Sequence, residues 1–245
     1  MSLRITGATA LRVLRQLRRD PRTIVLLLFV PALLVTLLHE LFSDRPLVFQ
    51  QVGGPVLGLF PFISMFLVTS ITMLRERTSG TLERLMTLPL AKLDLLAGYG
   101  IAFGLFAAVQ ASLVSGLSFG LLGLDSARSP VSVVGLAISN ALLGMALGLL
   151  VSAFARSEFQ AVQFMPALIF PQILLCGLFV SRDEMAGWLR AISYALPLTY
   201  SYDALARLTA EPALGIRFWA DLAVTLGATF VALTLAAATL RRRTD

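Results

Sequence analysis

Gly53-Gly54-Pro55-Val56-Leu57-Gly58-Leu59-Phe60-Pro61-Phe62-Ile63-Ser64-Met65-Phe66-Leu67-Val68-Thr69-Ser70-Ile71-Thr72-Met73-Leu74 runs for 22 residues without an Asp, Glu, Lys or Arg, then gives way to Arg75-Glu76-Arg77. About 20 apolar residues suffice for an α-helix to cross a bilayer. Working outward, five more such stretches occur, at residues 23–42, 95–124, 131–155, 159–181 and 218–240. The pattern predicts an all-α membrane protein with six transmembrane helices. Composition agrees: 57% of the 245 residues are hydrophobic and only 14% are charged, against about 25% charged in a soluble domain. That excludes a soluble enzyme. The single cysteine, Cys176, excludes a disulfide scaffold. Six spans leave no room within this sequence for a catalytic domain of ordinary size.

The net charge of +6 would suggest nucleic acid in a soluble protein. Its placement points elsewhere. Arg4, Arg12, Arg15, Arg18, Arg19 and Arg22 precede the first span, and Arg75, Arg77, Arg84 and Lys92 follow the second. With Arg156 and Arg241 to Arg243, 14 cations fall on one side, against six on the other (Arg45, Arg128, Arg182, Arg190, Arg207, Arg217). The positive-inside rule then places both termini in the cytoplasm. The first apolar run ends in His39-Glu40-Leu41-Phe42-Ser43-Asp44 without a small-x-small site, so it is expected to remain as a span rather than a cleaved signal. Arg12, Arg15, Arg19 and Arg22 recur at helical spacing, predicting an amphipathic helix at the inner surface with its arginines among the headgroups.

Chemistry is sparse. One histidine and one cysteine cannot form a metal cluster, and Lys92 follows Ala91 rather than the glycine of a phosphate-binding loop. Gly116-Leu117-Ser118-Phe119-Gly120 matches the nucleophile pattern G-x-S-x-G, but the pattern needs a strand before the serine, and here it lies in an apolar helical run. Ser118 with His39 defines the alternative of an intramembrane serine hydrolase. The middles of the spans carry no ionisable residue, which argues against an ion-coupled carrier. Gln110, Asn140, Gln160, Gln163 and Gln172 are the polar residues in or near them, suited to helix-helix contacts. The pairs Gly54/Gly58, Gly100/Gly104, Gly116/Gly120 and Gly144/Gly148 predict close helix packing.

Two loops carry more. After the second span, Thr78 or Ser79 can cap a short helix in which Leu82, Leu85 and Met86 form an apolar stripe, stopped by Pro89. A helix of this kind in a cytosolic loop is expected to bury its stripe in a partner's groove. On the outer side, Met185, Trp188, Leu189, Ile192 and Leu196 recur at helical spacing up to Pro197, and residues 198–208 form a second candidate helix containing Tyr200 and Tyr202. Tyr and Trp favour the membrane interface, so a re-entrant helical hairpin is expected between spans five and six. Pro166 and Pro171 should bend the span before it.

Glu76-x-x-x-Gly80-Thr81-Leu82-Glu83-x-Leu85, ending in Leu88-Pro89-Leu90, resembles the first cytosolic loop of ABC-2 type permeases. Gly177-Leu178-Phe179, Trp188-Leu189-Arg190, Leu196-Pro197-Leu198-Thr199-Tyr200 and Asp203-Ala204-Leu205 are similar to the last outer loop of that family. A departure is Ala186, where many members have proline. The resemblance implies a single transmembrane domain: residues 1–22 an interface helix, 23–181 five spans, 182–217 the outer hairpin, 218–240 the sixth span and 241–245 a cytosolic tail.

It further implies a non-enzymatic permease of a bacterial plasma membrane that pairs with a second permease chain, identical or not, and with two copies of an ATPase subunit. No cofactor would bind this chain directly, ATP and magnesium entering through that ATPase. Glu76, Gly80, Thr81, Leu82, Glu83, Leu85 and Met86 would form the coupling helix, and Trp188, Pro197, Tyr200 and Asp203 the outer gate. The drug and antibiotic efflux branch is the nearest, with a hydrophobic or amphiphilic substrate passing Phe60, Phe62, Phe66 and Gln163. A polysaccharide or glycolipid exporter is the alternative within the class.

Overall fold

A computed structural model describes residues 3–87 and 91–240, apart from the side chains of Glu83, Met86 and Thr87. Among the described residues there are helices and no strands. They run α1 (Leu3–Arg18), α2 (Pro21–Leu41), α3 (Pro46–Thr78), α4 (Thr81–Thr87), α5 (Lys92–Gly120), α6 (Pro130–Val151), α7 (Glu158–Leu175), α8 (Gly187–Ser193), α9 (Pro197–Ala210) and α10 (Ile216–Thr239), with a 3₁₀ turn at Arg182–Glu184 before α8. Five of them, α2, α3, α5, α6 and α10, are long and apolar enough to cross a membrane.

The expected fifth span is shorter than its apolar run. It forms α7, of 18 residues, and the helix stops at Leu175 rather than near Ser181. Gly177 lies just beyond it at φ +108°, a conformation that favours glycine and breaks the helix. In contrast α3 is longer than its apolar run, with 33 residues from Pro46 at its first turn. At 1.5 Å per residue that is about 50 Å, against a hydrocarbon core of about 30 Å.

The N-terminal arginine series is divided. Asp20 accepts a hydrogen bond from the Thr23 amide at 3.2 Å and from its hydroxyl at 2.6 Å, and Pro21 opens α2 behind it. This cap starts a new helix, so Arg19 and Arg22 do not share the face of Arg12 and Arg15. The face of α1 formed by Thr6, Thr9, Ala10 and Val13 is buried, and α5 receives it at Gly98, where a Cβ would collide with Thr9.

The centre of the bundle is the contact of α3 with α6. In lipid, apolar burial drives helices together only weakly, and close packing and hydrogen bonds take its place. Gly144 and Gly148 face the Phe62 and Phe66 carbonyls so closely that a Cβ at either would overlap them. Gln110, fully buried on α5, donates to the Leu27 carbonyl at 2.8 Å and the Ser64 hydroxyl at 2.9 Å, joining α2, α3 and α5. By contrast α2 leaves Val25, Leu26, Phe29, Leu33 and Leu37 exposed, an apolar surface fit for lipid.

Candidate coupling and gating sites

The bundle has two polar ends, one carrying α1 and α4, the other carrying α8 and α9. At the first end α3 closes on Ser79 as its C-cap, and Gly80 takes φ +72°, the left-handed position that terminates helices. The chain turns there into α4. The Ser79 and Thr81 hydroxyls lie 3.0 Å apart across this turn. Leu82 is buried in this chain's own core, with Leu85 packed beside it. The side chains of Glu83 and Met86, and the stretch Leu88-Pro89-Leu90, lie outside the described residues.

Glu76 also points inward. It is 5% exposed, and its carboxylate accepts Arg12 Nη1 at 2.6 Å and Nη2 at 3.4 Å. Arg12 Nη2 also lies 3.5 Å from the Tyr99 hydroxyl, and the guanidinium sits 6.0 Å from that ring's centroid. Burial works against the charge of Arg12, but the Glu76 carboxylate outweighs it and holds the guanidinium above its usual pKa. So Arg12 is not a headgroup arginine: it fastens α1 to α3 and α5. Nearby, Arg75 makes a two-pronged ion pair with Glu158 of α7 at 2.7 and 2.9 Å. That pair is exposed and contributes little stability. A cleft of about 390 Å³ opens between α1, α2, α3 and α4, lined by Leu17, Asp20, Thr72, Arg75, Glu76 and Thr81.

At the other end the two expected outer helices form as α8 and α9. Ala186 has φ −53°, a value proline also adopts, and α8 starts at Gly187 as it would with proline. Pro197 occupies the first turn of α9. The Thr199 hydroxyl donates to the Ser193 carbonyl at 2.8 Å, and the Tyr200 hydroxyl to the Tyr194 carbonyl at 2.7 Å, folding α9 back on α8. Asp203 pairs with Arg182, whose guanidinium stacks 5.5 Å from the Tyr194 ring centroid. Burial pushes the Asp203 carboxyl up to about 6, with Arg182 pulling the other way. Together with Gln51, Ser181 and Tyr202, these residues line a second cleft of about 390 Å³. Trp188 stands exposed on α8.

The aromatic path is redistributed. Phe62 and Phe66 are fully buried among Leu143, Ile169 and Leu198, so they are packing residues of α3 against α6 and α7. Phe60 is partly buried in the cluster next to α9, and Gln163 is exposed on α7. The serine-hydrolase pair does not assemble. The Ser118 hydroxyl donates to the Val114 carbonyl one turn back at 2.8 Å, the His39 ring packs edge-on against Phe49, and no hydrogen bond joins the two among the described residues. No group of three metal-ligating side chains occurs among them either.

Sequence reasoning missed Arg12 as the partner of Glu76 and Arg182 as the partner of Asp203. For the first, the sequence offers only that Arg12 stands one turn along α1 from the buried Thr9, a spacing that does not name a partner. Residues 6–208 match the family model described as ABC-2 type transporter.

The chain belongs to the ABC-2 type transporter family. Among curated proteins this ABC-2 chain is similar to the probable multidrug ABC transporter permeases YbhR and YbhS of Escherichia coli. Identity is 25% over 148 residues with YbhR and 27% over 143 with YbhS, covering 60% and 58% of this chain. It is also similar to ABC transporter G family member 20 of Dictyostelium discoideum, at 23% identity over 147 residues, 60% of this chain and 20% of that protein. The aligned stretches span 40% of YbhR and 38% of YbhS. The chain is thus a multi-pass membrane component of an ABC transporter.

Proposed function

We propose that this ABC-2 chain is the permease half of an exporter that moves a hydrophobic or amphiphilic, drug-like compound out of a bacterial cell. Its energy comes from a separate ATPase subunit, present in two copies, which brings ATP and magnesium. The observation that carries this reading is α3. It is one 33-residue helix that bears α4 at one end and at the other packs Gly54 and Gly58 against Thr209 and Leu205 of α9. The charge bias puts α1 and α4 in the cytoplasm with both termini, and α7 then makes the sixth crossing. A push on α4 reaches the outer hairpin through a single element, which suits a permease alternating between two states.

The Arg12–Glu76 pair keeps α1 and α3 moving together. α4 meets the ATPase from Thr81 onward, and Gly80 sets its angle. On the opposite side Trp188, Pro197, Tyr200 and Asp203 belong to a lid held by the Arg182–Asp203 pair. Gln163, exposed on α7 between Phe159 and Pro166, gives a second permease chain a polar contact in an apolar surface.

The test is co-expression with candidate ABC ATPases, purification of the complex, and ATP hydrolysis in proteoliposomes across a panel of amphiphilic drugs and lipid-linked glycans. A co-purifying ATPase stimulated by drugs is the expected result. Failure of every ATPase to co-purify overturns the coupling, and stimulation by glycans alone overturns the cargo.

A further inference from the structure

A third groove lies at the α1/α4 end, between the foot of α3, the end of α6 and the last turn of α10, and takes no part in the sites above. It encloses about 550 Å³ and is lined by Arg77, Leu150, Phe154, Leu235 and Thr239, with two alanines. Its walls are apolar and open outward: Phe154 is 65% and Leu235 51% exposed. Arg77 is the cation in it. Its Nη2 donates to the Thr239 hydroxyl at 2.9 Å and Nη1 to the Thr239 carbonyl at 3.5 Å, while its Nε is buried with no partner. At the same end of α10, outside the groove's lining, Lys92 Nζ lies 3.4 Å from the Ala237 carbonyl. Neither cation has a carboxylate partner among the described residues.

The end of α10 presents about half a negative charge, against two full positive ones. The excess is positive, partly desolvated, and set at the mouth of an apolar groove on the outer surface of a membrane bundle. We propose that this groove seats an anionic phospholipid, its phosphate held by Arg77, with Lys92 adding positive charge at the same helix end, and its acyl chains lying along Leu150, Phe154 and Leu235. Phosphate satisfies Arg77 with charge-assisted hydrogen bonds, and the apolar walls supply what a free anion would not use. The inference goes beyond the export reading and needs only that the chain is embedded in a membrane.

The test is native mass spectrometry of the full chain from nanodiscs of phosphatidylcholine mixed with phosphatidylglycerol. The wild type is expected to retain phosphatidylglycerol in preference to phosphatidylcholine. Arg77→Gln lowers that retention about fivefold, the effect of one cation at an anionic surface. Phe154→Asp, which alters an exposed wall residue and leaves Arg77 in place, lowers it as well. Arg15→Gln, an equal loss of charge on exposed α1, leaves it unchanged. Equal retention of the two lipids, or unchanged retention in Arg77→Gln, overturns the proposal. Displacement of the lipid by excess inorganic phosphate overturns the lipid assignment in favour of a free-anion site. ATP hydrolysis is not read, so this outcome and that of the export test are separate.

Discussion

The terminal nitrogens of Arg12 face the carboxylate oxygens of Glu76 at 2.6 and 3.4 Å, joining helices 64 residues apart in sequence. The Glu76 side chain is 6% exposed and that of Arg12 26%, so the acid depends on the base more than the reverse. Breaking a fully buried pair by removing one partner costs about 3–5 kcal/mol; with Arg12 partly in water, Arg12→Ala should cost about 2 kcal/mol. Glu76→Gln, which leaves unpaired only the partly solvated Arg12 guanidinium, should cost less. Thermal unfolding in detergent should show that order, with Arg12→Lys between wild type and Arg12→Ala.

The glycine pairs divide into those that touch a neighbour and those that do not. A Cβ at Gly144 would run into the Phe62 carbonyl, whereas at Gly116 it would meet nothing within 4 Å. Gly144→Ala should therefore destabilise the chain by about 1–3 kcal/mol through overpacking. Gly116→Ala should be neutral or stabilising by up to about 1 kcal/mol, since alanine is the better helix former. Equal melting of the two variants would remove the α3–α6 contact from its central place.

What the sequence revealed and what it concealed have physical reasons. Spans were legible because apolar runs bounded by arginines are long-range signals, and the outer hairpin because Pro197 interrupts a helical stripe. The inward burial of Phe62 and Phe66 was not legible. In α3 both faces are apolar, so periodicity carries no phase to say which face meets α6. Arg12 was misread for a related reason: its partner is distant in sequence, and an arginine on an amphipathic helix has the same pattern whether it meets a headgroup or a glutamate. Leu82 packs into this chain's core, and a stripe of apolar residues does not state whose core it enters.

Asp203 makes the outer hairpin sensitive to acid. Its carboxyl, raised mainly by burial to about 6 from a usual 3.8, binds its proton more tightly in the folded hairpin than in an opened one. The stabilisation from that proton is fully present below about pH 4 and is lost as pH rises through about 6. Discounted for its partial exposure, it is on the order of 1 kcal/mol. Amide exchange in α8 and α9, corrected for its intrinsic pH dependence, should slow as pH falls from neutral toward 4, and Asp203→Asn should flatten that profile. A wild-type profile as flat as the variant's would contradict the assignment.

Gly80 separates the geometry of the α3–α4 turn from its contacts. At φ +72° it is the one described residue of this turn in a left-handed conformation, and a Cβ there would meet nothing within 4 Å. A substitution is strained by backbone alone, about 1–2 kcal/mol for most side chains, and asparagine tolerates the conformation better than valine. Gly80→Val can relieve that strain by changing the angle at which α4 leaves α3, without removing any side chain that a partner would touch. In the proposed complex with an ATPase, Gly80→Val should thus keep the subunits together while reducing substrate-stimulated ATP hydrolysis about tenfold, and Gly80→Asn should stay near wild type. A fully stimulated Gly80→Val complex would mean that the α3–α4 angle does not carry the motion. Transmission would then have to run through α1, whose attachment at Arg12 and Glu76 the first pair of variants probes.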